Sequence, residues 1–143
     1  MSKTRTLAII KPDAVAAGRA GKILGHLEAA AFTVRGLFMT RLGEAQAMDF
    51  YAIHRERPFY PSLVAFMTSG PVIPVVLEAE GAVTRLREVI GATDPAEAAE
   101  GTVRRLYAES KERNAIHASD SDENASSEIQ FFFSRHELLA LTD

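Results

Sequence analysis

Cysteine is absent from this chain of 143 residues. Disulfides, thiolate metal sites and a cysteine nucleophile are therefore excluded, and a cytoplasmic location is expected. No apolar run approaches the roughly eighteen residues that a membrane span needs. The segment Met1-Ser2-Lys3-Thr4-Arg5 runs straight into a strand-like stretch and lacks the apolar core of a secretory signal. Basic residues are not in excess. The net charge of −3 argues against general nucleic-acid binding, so an anionic ligand must be held by a local basic cluster. A phosphate loop of the form Gly-x-x-x-x-Gly-Lys-Ser/Thr is missing, and Gly18 with Gly21 does not make one. His26, His54, His117 and His136 show no zinc-type spacing. Internal repeats and low-complexity tracts are missing too. What is present is a hydrophobic content of 47%, which fits one domain over residues 1–143 with a sizeable core.

The apolar pattern predicts the elements. Leu7 to Ile10 reads as a buried strand stopped at Lys11-Pro12-Asp13. Arg19 to Ala31 reads as a helix, with Leu24, Leu27 and Ala31 at helical spacing. Phe32 to Met39 is rich in β-branched and aromatic residues and reads as a second strand. Glu44 to His54 is a predicted helix with Ala45, Met48 and Tyr51 on related faces. Pro58 and Pro61 bracket the start of another helix, which ends near Met67 before Ser69-Gly70-Pro71. Val72 to Leu77 is apolar throughout and reads as a central strand. Gly81 to Val89 is helical. From Gly91 to about Ile116 the pattern loosens into a long loop, with one or two helical turns over Thr102 to Tyr107. Loops of that length in compact domains are usually functional.

Ile116 with His117 reads as a brief fourth strand. Asp122 to Phe132 reads as a helix capped by an acid, with Ala125, Ile129 and Phe132 toward the core. The polar run Ser119 to Ser127 is the expected flexible stretch. Setting aside the two middle helices leaves β-α-β-β-α-β. This is the ferredoxin-like α+β sandwich on a four-stranded antiparallel sheet, with the middle helices as an inserted hairpin.

Chemistry concentrates in Asn114-Ala115-Ile116-His117-Ala118-Ser119-Asp120. Histidine is the side chain whose ordinary pKa makes it a usable nucleophile near neutral pH. Glu128, eleven positions later, can orient its ring, and Ser119 can relay that contact. Lys11 stands at the end of the first strand, Arg87 ends a helix, and Arg104 lies in the long loop after Thr93. Such cations can stabilise charge on a transferring phosphoryl group, although each alone is more often a solvated surface charge. Phe59, between Pro58 and Pro61, can stack on a base or serve as a hydrophobic staple to the helix that follows.

The segments Thr6-Leu7-Ala8-Ile9-Ile10-Lys11-Pro12-Asp13, Arg57-Pro58-Phe59-Tyr60 and Thr68-Ser69-Gly70-Pro71-Val72 stand in order along the chain. Gly91-Ala92-Thr93-Asp94-Pro95-Ala96-Glu97-Ala98, Gly101-Thr102-Val103-Arg104 and the His117 stretch follow. Together they resemble the nucleoside diphosphate kinase family of bacterial type over nearly the whole length. The resemblance implies γ-phosphoryl transfer from a nucleoside triphosphate, such as ATP or GTP, to a nucleoside diphosphate. The mechanism it implies is ping-pong, through a phosphohistidine at His117, with Glu128 and Ser119 as orienting partners. It implies that Lys11 binds the transferred phosphate and sugar hydroxyls beside Tyr51, and that Arg87, Thr93 and Arg104 clamp phosphates. Asn114 is then a sugar contact, Phe59 the stacking residue, and His54 and Leu63 secondary contacts. The family also implies Mg2+ carried mainly by the nucleotide phosphates, and a homo-oligomer that is a tetramer or a hexamer. The short tail after Phe133 points to the tetramer.

The chain departs from the family pattern at three places. Ala118 replaces a glycine, Arg105-Leu106-Tyr107 replaces a Gly/Ala-Asp-Phe run, and Lys111 stands where an apolar residue usually covers the base. None removes a catalytic group. The rival reading is a ferredoxin-like binding or interaction domain without catalysis. It leaves unexplained why His117, Lys11, Tyr51, Arg87, Arg104, Asn114 and Glu128 occur together.

Overall fold

The structure, a computed structural model, describes residues 2–141. Its sheet has four strands: β1 (Lys3–Ile10), β2 (Thr33–Leu37), β3 (Ile73–Glu80) and β4 (Ile116–Ala118). Their order is β2-β3-β1-β4 and every pairing is antiparallel. The apolar runs predicted as strands lie at its centre, where both faces must be buried. Leu7 and Ile9 of β1 point to one face, Ala8 and Ile10 to the other.

Against the face of Ala8 and Ile10 pack α2 (Ala20–Ala29) and α5 (Ala82–Ile90), through Ile23, Leu27, Leu86 and Ile90. Against the face of Leu7 and Ile9 pack α3 (Glu44–Phe50), α4 (Tyr60–Met67) and α7 (Asp122–Phe132), through Ala47, Val64, Met67 and Ile129. The α3–α4 hairpin and α7 thus cover the face that a bare βαββαβ unit leaves open. Among the described residues no helix is long and apolar enough to cross a membrane.

Several predicted boundaries are corrected. Pro12 does not simply stop the first strand. It occupies the first turn of a short helix, α1 (Pro12–Ala16), where its missing N–H costs nothing. The helix predicted from Arg19 to Ala31 is shorter, because Ala31 turns to a positive φ of 72°. The second strand is shorter than Phe32 to Met39. It is an edge strand with an irregularity between Val34 and Gly36, and it leaves Leu37 and Met39 exposed.

The helix predicted from Glu44 to His54 becomes α3 plus a 3-10 turn, Ala52–His54, and its core face carries Ala47 and Tyr51 rather than Ala45 and Met48. The long loop contains α6 (Val103–Tyr107), whose cap Thr102 accepts a hydrogen bond from the Arg105 amide. This is the helical turn expected over Thr102 to Tyr107, and Arg104 within it is buried. Ser121, not Asp122, caps α7, and Phe133 rather than Phe132 is the buried aromatic at its end.

The stretch Ser119 to Ser127 is built into the fold. Ser119 is fully buried and α7 begins at Asp122. Its polarity signals hydrogen bonding rather than solvation. The tail after Phe133 forms another helix, α8 (Arg135–Ala140), with a capping box between Ser134 and Glu137.

Candidate functional site

His117 lies in β4 opposite Ile9, so its backbone is fixed by a central strand while its ring projects from the sheet. Its side chain keeps 17% of its surface exposed. The Nε2 atom is 2.7 Å from Glu128 Oε1. The Ser119 hydroxyl donates to the same oxygen at 2.8 Å. Glu128 reaches this position because α7 packs along β1 after the short turn capped by Ser121.

Phe50 and Tyr51 meet the imidazole edge-on, with ring centroids 5.5 and 5.8 Å away. Burial lowers the histidine pKa, opposed by the hydrogen bond and charge of Glu128; Lys11 and Arg104 lower it further. The net shift favours the neutral ring. With Nε2–H donating to the carboxylate, the lone pair of the neutral tautomer resides on Nδ1, which has no hydrogen-bond partner among the described residues.

Lys11 follows β1 directly and is the N-cap residue of α1. Its ammonium donates to Asn114 Oδ1 at 2.9 Å, both residues being buried. Its pKa is pushed down to about 8, first by burial and then by Arg104, while Asp13 and Glu112 oppose the shift. Asn114 donates in turn to the Thr93 carbonyl at 3.3 Å.

Arg104 donates to the carbonyls of Gly91 at 3.0 Å and Ile116 at 2.8 Å, and its Nε is buried without a partner among the described residues. Burial and the nearby Arg87 bring its pKa down to about 10. Arg87 donates to the Ala118 carbonyl at 3.5 Å. Gly91 makes the Arg104 contact possible. Its φ is 90°, and a Cβ there would lie 2.5 Å from Thr102 Oγ1.

Two hollows flank this cluster. One, of about 460 Å³, is lined by Lys11, Phe59, Leu63, Thr93, Lys111 and Asn114, with Ser62 and Glu112 at its edge. The other, of about 630 Å³, is lined by Arg87, Gly91, Thr93, Thr102 and Arg104. Thr93 belongs to both. Phe59 is 49% exposed at the start of α4 and is backed by His54, ring to ring at 5.5 Å. Two adjoining hollows, one cationic and one with an aromatic wall, suit a molecule with phosphates at one end and a flat ring at the other.

The residues singled out in the sequence fall into neighbouring groups. Lys11, Phe59, Leu63, Thr93, Lys111 and Asn114 share the first hollow. Arg87, Thr93 and Arg104 share the second. Glu128, Ser119 and Tyr51 surround His117, and His54 touches Tyr51 and Phe59. Tyr51 is placed against the histidine. Its hydroxyl is buried without a hydrogen-bond partner among the described residues, and burial, then Glu128, push its pKa well up.

The sequence pattern did not single out Phe50, which touches the histidine ring, or the Ser62–Glu112 hydrogen bond at the rim of the hollow. Nor did it single out Asp13, whose carboxylate accepts the Ala115 amide. Phe50 could have been found from its place beside Tyr51. Asp13 closes the motif that ends Lys11-Pro12-Asp13, but nothing in the sequence links it to Ala115.

Comparison with known proteins gives the family. The family model described as nucleoside diphosphate kinase matches residues 4–138. The chain belongs to the nucleoside diphosphate kinase family. It is 56% identical over 135 residues to the nucleoside diphosphate kinase of Chlorobium chlorochromatii, covering 94% of this chain and 96% of the relative. It is 53% identical over 138 residues to that of Halorhodospira halophila, covering 96% and 98%. Among solved structures it superposes on the Aquifex aeolicus nucleoside diphosphate kinase with a TM-score of 0.93 and 48% identity, over 95% of this chain and 99% of that one. It superposes on the Halobacterium salinarum enzyme, solved in complex with CDP, with a TM-score of 0.90 and 38% identity, over 95% and 91%. Membership makes the protein a phosphotransferase of nucleotide metabolism, and its α+β sheet is the ferredoxin-like one of the family.

Proposed function

We propose that this nucleoside diphosphate kinase transfers the γ-phosphoryl group through His117 Nδ1. The observation that carries the assignment is Glu128 holding Nε2 at 2.7 Å, which fixes the tautomer and leaves Nδ1 nucleophilic. The Nδ1 lone pair attacks the γ-phosphorus. A P–N bond forms, the bond to the β,γ-bridging oxygen breaks, and the diphosphate leaves with that electron pair. A terminal oxygen of a second nucleoside diphosphate then attacks the phosphohistidine and restores the free ring.

Lys11, Arg87, Thr93 and Arg104 hold the phosphates and oppose their charge, and Asn114 meets the sugar hydroxyls together with Lys11. The base rests on Phe59, with Leu63 and the stem of Lys111 as the other walls and His54 behind the ring. Mg2+ would be borne mainly on the nucleotide phosphates, where it would offset charge beside Lys11, Arg87 and Arg104.

Residues 1–143 then act as one catalytic domain in the cytoplasm, in a homo-oligomer of four or six copies. Support for assembly comes from the edge strand β2, which ends at the exposed Leu37 and is followed by the exposed Phe38 and Met39. Mass photometry decides between the two sizes.

The central test is incubation with labelled ATP and Mg2+. The expected result is an acid-labile, base-stable label on the protein, absent in His117→Ala. Initial rates at several donor and acceptor concentrations should give parallel lines. Intersecting lines would show direct transfer in a ternary complex and end the covalent mechanism.

A further inference from the structure

Asp13 is a buried carboxylate, 4% exposed, that the mechanism above does not use. It lies in the first turn of α1, two residues after Lys11. Its Oδ2 accepts the Ala115 amide at 3.1 Å, across 102 positions of sequence. The carbonyl of Ala115 accepts the Lys11 amide at 2.8 Å. Both polar groups of Ala115 are therefore tied to the segment that begins with Lys11.

Ala115 needs such ties. Its φ is 75°, in the left-handed region that favours glycine, and such a backbone persists only when its surroundings over-determine it. The residues on either side are functional. Asn114 receives the Lys11 ammonium, and Ile116 starts the three-residue strand that carries His117.

We propose that Asp13 is a positioning residue for phosphoryl transfer: its carboxylate clamps the strained Ala115 peptide, so that the Lys11 ammonium, Asn114 and His117 hold one register. The inference rests on the function proposed above. The second carboxylate oxygen, Oδ1, is buried without a hydrogen-bond partner among the described residues, so the anion is not neutralised at that oxygen. Asp13 thus has two separable properties. One is an acceptor for the Ala115 amide. The other is a negative charge beside Lys11, which favours the ammonium against the effects of burial and Arg104; Glu112 adds to it from the loop.

Asp13→Ala removes both properties, and Asp13→Asn keeps an acceptor and removes the charge. Each is measured by single-turnover labelling with Mg2+ATP at a temperature where it is folded, and by kcat/KM against pH. Asp13→Ala is expected to label at least about tenfold more slowly with its nucleotide Kd changed less than about threefold, the pattern of lost orientation. Asp13→Asn is expected to recover most of that rate. It should still move the alkaline limb of kcat/KM to lower pH, because Lys11 loses a favourable charge.

The inference is overturned if Asp13→Ala labels at the parent rate. It is equally overturned if its loss only follows the unfolded fraction. Should Asp13→Ala not fold, an unmoved alkaline limb in Asp13→Asn overturns it. Persistent label in His117→Ala would instead overturn the function on which the inference rests.

Discussion

Glu128→Gln is the perturbation that most directly probes how His117 is prepared. One carboxylate oxygen receives the imidazole N–H at 2.7 Å and the Ser119 hydroxyl at 2.8 Å. Glutamine is nearly isosteric, and its carbonyl can accept the same hydrogens, so the geometry survives and the charge is lost. A charge-assisted hydrogen bond is worth about 1.5–3 kcal/mol against about 1 kcal/mol for a neutral one. As the ring takes the phosphoryl group it becomes electron-poor, and the carboxylate then contributes more than it does to the free enzyme. A loss of about 1.4 kcal/mol in the transition state is about tenfold in rate.

The expected result is single-turnover labelling slowed about tenfold, with the nucleotide Kd within about twofold. The pH profile should move too. Glu128 raises the histidine pKa against the effect of burial, so its charge loss lets that pKa fall further. The acid limb of kcat/KM then shifts to lower pH, since the neutral ring persists into more acidic solution. Glu128→Ala should be worse in rate and in melting temperature, because Ser119, fully buried, is left without this acceptor. Unchanged labelling and an unmoved acid limb in Glu128→Gln would refute the orienting role and leave Glu128 as a packing residue.

Phe59→Ala should weaken binding of all nucleoside diphosphates by a similar factor, about 1–3 kcal/mol, in calorimetric titration; a strongly base-dependent loss would show edge recognition instead of stacking. In the same assay Lys111→Ile should bind equally or slightly more tightly, since the lysine contributes its methylene stem to that wall. Gly91→Ala should lower the melting temperature by several degrees, because the added Cβ meets Thr102 Oγ1 at 2.5 Å and φ is 90°. A melting temperature equal to the parent's would show that Thr102 can move away. Lys11→Met should slow labelling by at least about a hundredfold while leaving the melting temperature equal or higher, since a desolvated ammonium is replaced by an apolar chain of similar length.

The sheet was legible because its inner strands are buried on both faces, and a short continuous apolar run such as Leu7 to Ile10, closed by a proline, fits a buried strand better than a helix. Helix faces were less so. In α3, positions 45 and 48 and positions 47 and 51 both satisfy helical spacing, and only packing against α4 selects the second pair. The polar run after His117 misled for a related reason. Ser119 holds Glu128, Asp120 accepts from Asn124 at 2.6 Å, and Ser121 caps α7, so each polar group is used locally. The candidate site residues were named through the family motifs, but the backbone contacts that place them were not legible. Alanine at position 115 gives no hint of a positive φ, because that conformation is imposed by Asp13 and Lys11 from the other end of the chain.

The two depressed basic groups show where the fold gives up stability for electrostatics. Lys11, at about 8, and Arg104, at about 10, are both buried, and each lowers the pKa of His117 as well. Desolvated cations of like sign destabilise a folded chain unless something anionic answers them. Asp13 and Glu112 answer Lys11 only in part. On the proposed function, the remaining compensation arrives with the substrate, whose phosphates bring the charge that the site lacks. Nucleotide binding should then stabilise the fold more through its phosphates than through its base, so inorganic triphosphate should raise the melting temperature more than a nucleoside does. The reverse order would mean that the stacking wall at Phe59, and not the cationic end, supplies most of the binding energy.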